Sequence, residues 1–128
     1  MDAEESTRFV VLHHKGHGDP HWDLMIERGG FLETWRLPLP RPVADSLAGP
    51  AERIGDHRPA YLDYEGPIGG GRGDVQRLAG GEMRILCFGE AWRRFRIPTG
   101  RFSGDYLLER NADGPLWVLS VCRAEDDR

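Results

Sequence analysis

The sequence predicts a mainly β fold, an antiparallel barrel with only short helical turns, and three observations carry that expectation. The chain has 128 residues, the length of a single domain with one modest core. It holds 17 Gly and 9 Pro, punctuation that favours short strands and turns over long helices. Seven or more apolar or alternating segments, each of strand length, recur between those punctuators with no linker and no internal repeat. Antiparallel strands that close on one another leave no exposed edge, which is why such a pattern points to a barrel.

"RFVVLHH" (8–14) is rich in β-branched and aromatic residues and reads as a strand. "GHGDP" (16–20) reads as a loop. In "HWDLMIER" (21–28), Trp22, Leu24 and Ile26 fall on one face, and His21, Asp23, Met25 and Glu27 on the other. That period of two predicts a half-buried strand. "RGG" turns the chain, and "FLETWRL" (31–37) returns as a hairpin partner. "PLPRP" (38–42) is barred from a central strand, and "VADSLAG" (43–49) suggests a short helical turn. Residues 56–78 read as strand-like at "AYLDYEG", glycine-rich at 69–73, and strand-like again afterwards. "MRILCFG", "WRRFRIP", "GDYLLER" and "LWVLSVC" complete the set. Residues 1–7 and 124–128 are expected to be frayed ends.

The net charge of −4 argues against a generic basic nucleic-acid coat, which needs many cations to neutralise phosphates. Lys15 is the sole lysine among 17 basic residues. The arginines suit forked recognition of phosphate or carboxylate, although a GC-rich genome produces the same bias. Cys87 and Cys122 sit in apolar runs, which predicts two buried thiols in a reducing compartment, with a disulfide between them as the alternative. The acidic start "MDAEESTR" lacks the apolar stretch of a signal peptide, and no segment has the roughly 18 apolar residues of a membrane span. The expectation is a cytoplasmic, soluble protein, a monomer with no membrane contact.

Four of the five histidines lie between positions 13 and 25, with two aspartates among them. On a strand, His21 and Asp23 share a face. An imidazole and a carboxylate side by side on a rigid strand make the start of a divalent metal site, and His13, His14 or His57 are candidates to complete it. The bland alternative is a solvated polar face that binds nothing. There is no zinc-finger spacing, and no G-x-S-x-G elbow for a serine hydrolase. "GGGRGD" lacks the GK[ST] of a phosphate-binding loop; it reads as a turn, with an approach of its amides or Arg72 to a phosphate as the functional alternative.

Three stretches, in order, resemble a known family. "RFVVLHHKGHGDPHWDLMIERGGFLETWRLP", "DHRPAYLDYEGPIGGGRGDV" and "FSGDYLLERNADGPLWVLSVCR" are similar to the 3′-phosphoesterase domain of bacterial DNA ligase D. The resemblance spans about residues 8 to 123. It implies a β-barrel with a polar crevice that trims 3′-ribonucleotides and 3′-phosphates from DNA ends during end joining. It implies a divalent metal, manganese by the family's habit with zinc as the alternative, held by His14, His21 and Asp23. His13 rivals His14, because the loop is one residue longer here. His57 matches the histidine beside the phosphate, and Tyr61 the active-site tyrosine. The implied partners are a nucleic-acid 3′ end and a repair protein. The family has an Arg two residues after the metal-site Asp, where this sequence has Met25. The forked phosphate contact is missing unless Arg36, Arg53 or Arg72 substitutes. The expectation is a stand-alone domain with no ligase or polymerase module attached. The competing expectations are a catalytically silent relative that binds metal, a DNA end or a repair partner, and a small barrel for a phosphorylated metabolite.

Overall fold

The computed structural model describes residues 5–38 and 47–122, and their strands form one antiparallel sheet that closes on itself. The strands are β1 (Glu5–Lys15), β2 (His21–Arg28), β3 (Phe31–Leu37), β4 (Gly49–His57), β5 (Gly66–Pro67), β6 (Asp74–Gly89), β7 (Trp92–Ile97), β8 (Gly104–Arg110) and β9 (Leu116–Cys122). They hydrogen-bond in the order β1-β2-β3-β4-β9-β8-β7-β6-β5, and β1 pairs with β6 to close the ring. The expected mainly β, barrel-like architecture is therefore the observed one. The two-residue β5 lies outside the ring, on the end of β6 opposite Asp74 and Val75.

Strand alternation separates two apolar clusters. Phe9 and Val11 of β1, Trp22, Leu24 and Ile26 of β2, and Trp35 and Leu37 of β3 point into the ring, where they meet Phe95, Tyr106, Leu108, Trp117 and Leu119 from the far side. Val10, Leu12, Met25 and Leu32 point outward beside Val75 of β6, and there they are covered by Leu62, with Tyr61 and Ile68 packed against them. The cover is the segment between β4 and β6, which crosses the outer face of β1–β3. β2 is consequently buried on both faces from His21 to Ile26, where a half-buried strand was expected. Arg93 buries its charge in the interior: it closes its fork on Glu33 with Nε and Nη2 at 3.1 and 3.0 Å, while Nη1 donates to the carbonyls of Gly89 and Trp92. Each of the three nitrogens of that buried cation has a partner, as burial of a charge requires.

Several local expectations change. "AYLDYEG" is not a strand: Pro59 opens a 3-10 turn, η1 (Pro59–Leu62), because its fixed φ and missing N–H suit the first position of a helical turn. β4 was not anticipated, since Gly49, Pro50 and Gly55 mask it. β6 is one strand of 16 residues, bent where its register on β1 shifts near Val11 and Leu12. β1 already begins at Glu5, so residues 5–7 are paired rather than frayed. Positions 43–46 of the suggested helical turn lie outside the described residues, as does the tail 124–128; Leu47 and Ala48 carry no helix, and Gly49 opens β4. Cys87 and Cys122 are half-buried rather than buried and form no disulfide. No helix among the described residues is long and apolar enough to cross a membrane.

Candidate functional site

The register of β1 on β2 decides which histidines meet. His14 pairs with His21 and His13 with Trp22. Residues opposite one another share a face, so His14 joins His21 and Asp23 outside the ring. His13 turns to the other face and stacks on Trp22, with ring centroids 4.0 Å apart. Burial holds the His13 imidazole below its ordinary pKa, and Lys15 works in the same direction.

His14, His21 and Asp23 each present one ligand atom, and these atoms lie within 4.8 Å of one another. Backbone carbonyls fix both imidazole tautomers. His21 Nδ1 is 3.0 Å from the carbonyl oxygen of Asp19, and His14 Nε2 is 2.8 Å from that of Arg72. A carbonyl only accepts, so each of those nitrogens carries the proton. The lone pairs of the neutral rings are then His21 Nε2 and His14 Nδ1, and both face the same carboxylate: Asp23 Oδ1 at 3.5 Å and Oδ2 at 3.9 Å, respectively. Three acceptors turned toward one another repel unless a cation or proton sits among them.

His21 Nε2 and Asp23 Oδ1 are buried without a hydrogen-bond partner among the described residues. In the absence of metal the Asp23 carboxylate draws a proton to His21 and raises its pKa, against the opposing effect of burial. Two neutral imidazoles and one carboxylate are a donor set suited to manganese, zinc or ferrous iron. Backbone carbonyls that accept from the far ring nitrogen and orient each imidazole are what such ligands ordinarily require. The residues fit a divalent cation.

The cluster opens into a crevice of about 120 Å³ lined by His14, Asp23, Met25, His57, Tyr61 and Arg72, among others. Met25 thus stands on the crevice wall next to Asp23, while packing with the outer apolar cluster. His57, at the end of β4, has Nδ1 2.9 Å from the Gly55 carbonyl oxygen, so Nδ1 donates and Nε2 carries the lone pair. Thr34 Oγ1 lies 3.1 Å from the same nitrogen and helps fix the ring. Tyr61, on η1, meets His57 edge to face at 5.6 Å.

The arginines part company. Arg72 lines the crevice, its Nε donating to the Gly69 carbonyl at 2.7 Å. Arg36 pairs with Asp23 across β3, and its Nε is buried without a partner among the described residues. Arg53 lies opposite Trp35, on the inward side, and is engaged by Asp56 at 2.9 Å and Glu33 at 3.9 Å; it is not among the crevice residues.

Sequence reasoning passed over His17, which also lines the crevice and whose ring lies 6.3 Å from that of His14. Its position in a histidine-rich loop was visible; its direction was not. It also passed over the seam between the two loops. A Cβ on Gly73, which has φ +83°, would collide with the Lys15 carbonyl oxygen, so only glycine lets residues 69–73 lie against the end of β1.

A barrel-like antiparallel ring with a histidine–aspartate cluster on its outer face is the class of protein defined so far. The chain is similar to the multifunctional non-homologous end joining protein LigD of Mycobacterium bovis, 28% identical over 131 residues. It is similar to the multifunctional non-homologous end joining DNA repair protein LigD of Mycobacterium tuberculosis at 28% and 27% in two strains. Each alignment takes in 97% of this chain but only 17% of the relative's length. No family model matches.

Proposed function

We propose that this chain is a metal-dependent phosphoesterase acting on 3′ ends of DNA or RNA, removing a 3′-phosphate or 3′-ribonucleotide in DNA repair. The observation that carries the reading is the pair of orphaned buried atoms, His21 Nε2 and Asp23 Oδ1, converging with His14 beside a crevice that His14 and Asp23 line. Similarity to a DNA repair protein supports the repair context. His14, His21 and Asp23 would hold the ion, manganese by the resemblance to ligase D. The chemistry a divalent ion supplies there is polarisation of a phosphoryl oxygen and acidification of a water.

The remaining crevice residues are suited to a phosphate. Arg72 brings a guanidinium to the wall. His57, fixed through Nδ1, offers Nε2 to the crevice as acceptor when neutral and as donor to a phosphate or leaving oxygen when protonated. Tyr61 offers a hydroxyl. Met25 favours a second reading, a relative that binds metal or a DNA end without turnover, because a thioether donates no hydrogen bond.

Manganese-dependent phosphate release from a 3′-phosphorylated primer-template, run against a panel of nucleoside monophosphates, separates these readings. The account expects release from the primer-template, lost in His57→Ala. Metal binding without release supports the silent reading. Turnover confined to monophosphates supports a metabolite-specific barrel instead.

A further inference from the structure

Beside the crevice lies a second cavity of about 190 Å³. Tyr61, Ile68 and Arg72 line both, so the two form one trough that starts at the histidine–aspartate cluster and runs under the glycine-rich loop. The far end is walled by Tyr64, Pro67 and Arg58. Its chemistry differs from that of the crevice. Two phenol rings stand at 89° to one another with centroids 6.0 Å apart, offering a planar group one face and one edge. The Tyr64 hydroxyl donates to the Pro67 carbonyl, which fixes that ring before any ligand arrives. Two guanidiniums and no carboxylate line the cavity, in a chain whose net charge is −4. Aromatic faces interleaved with arginines are the means by which proteins hold single-stranded nucleic acid.

We propose that this second cavity is a subsite for the penultimate nucleotide, the one before the nucleotide that carries the scissile 3′ phosphate, with its base unpaired and set against Tyr61 and Tyr64 and its phosphate facing Arg58 and Arg72. The inference rests on the phosphoesterase reading and adds a substrate class to it: single-stranded or frayed 3′ ends. The cavity of about 190 Å³ presents its two phenol rings to one planar group, the shape of a single base. A base entering it has to leave its partner, which is cheapest where the end is already single-stranded. The trough is also tied to the cluster mechanically. The Arg72 carbonyl that accepts from His14 Nε2 belongs to the same loop that forms the cavity roof.

The test is equilibrium binding by the manganese-loaded full chain to three probes ending in a 3′-phosphorothioate, which slows turnover. They are a mononucleoside, a single-stranded dinucleotide, and the same dinucleotide as the paired terminus of a blunt hairpin. The expected result is a dinucleotide that binds roughly tenfold tighter than the mononucleoside, the effect of one base stacked on an aromatic ring. The hairpin should lack that gain. Tyr64→Ala and Arg58→Ala, both at exposed positions, should each bring the dinucleotide-to-mononucleoside ratio toward one. A mononucleoside that binds with no gain from the second nucleotide, or a gain that survives both substitutions, overturns the subsite while leaving the phosphoesterase reading intact. Failure of all three probes, with manganese still bound, overturns both.

Discussion

The two faces of β2 are equally hidden from solvent and opposite in character. Inward, Trp22, Leu24 and Ile26 meet apolar neighbours, and packing alone accounts for their burial. Outward, His21 and Asp23 are 6% and 4% exposed. Yet one ring nitrogen and one carboxylate oxygen there have no hydrogen-bond partner among the described residues. Leaving such atoms buried and unpaired costs about 1–3 kcal/mol each, more for a charge. The inner face is arranged for stability; the outer face carries a cost that a bound ion would remove. Partnerless atoms are not confined to the outer face, since Trp35 Nε1 is another inside the ring. There, though, guanidiniums of Arg53 and Arg93 lie 4.8 and 5.8 Å from the indole ring, and no ligand set converges on it.

The comparison breaks most readily at Leu24. Leu24→Ala removes a fully buried side chain from the interior and should cost about 2–5 kcal/mol, read as a lower denaturation midpoint. Manganese affinity of the still-folded fraction should change little. An equal loss of metal binding would mean the faces are not independent. Gly73→Ala tests the outer face from its rim. The positive φ alone costs about 1–3 kcal/mol. The collision with Lys15 displaces the loop whose Arg72 carbonyl orients His14, so metal affinity should fall by roughly tenfold, the lower end for loss of an outer-shell partner. An unchanged affinity would show that the carbonyl does not fix the ring.

Met25→Arg sharpens the comparison, because Met25 belongs to both the crevice wall and the outer apolar cluster. Overpacking should cost about 1–3 kcal/mol of stability. Phosphate release should nevertheless rise by about tenfold, or ~1.4 kcal/mol of barrier. A fall in rate on a folded protein would mean that Arg72 or Arg36 already supplies the fork. The smallest effect lies far from the crevice, at Asp105. Arg96 hydrogen-bonds its carboxylate and holds the pKa below the ordinary 3.8. A depressed folded pKa contributes stability above the unfolded value and loses it as pH falls through the folded one. The stability gap between wild type and Asp105→Asn should therefore close on acidification below about pH 4, the ordinary aspartate range. A gap that persists to the acid end assigns the effect to packing.

Much of this was legible in the sequence because alternation is a strong signal. The bounds of β2, β3, β8 and β9 follow from it, and so does the pairing of His21 with Asp23 on one face. The choice between His13 and His14 was not legible, since it turns on the register with β2 and not on either residue's own neighbours. β4 was hidden because its own residues are mostly glycine, proline and charge, with only Ala51 and Ile54 apolar, and its place is set by its partners β3 and β9. The outer cover could not be foreseen at all: "AYLDYEG" carries the composition of a strand, and Pro59 bends it into a turn that closes the crevice.

The most direct measurement is a calorimetric titration of manganese into wild type and Asp23→Ala, paired with thermal denaturation of both metal-free proteins. The account predicts one site in the wild type and none in the variant. It also predicts that metal-free Asp23→Ala still unfolds cooperatively, so that the lost binding reflects the lost ligand and not a lost fold. A wild type that binds no divalent ion at millimolar concentration would contradict the account, as would an Asp23→Ala variant that binds manganese as well as the wild type.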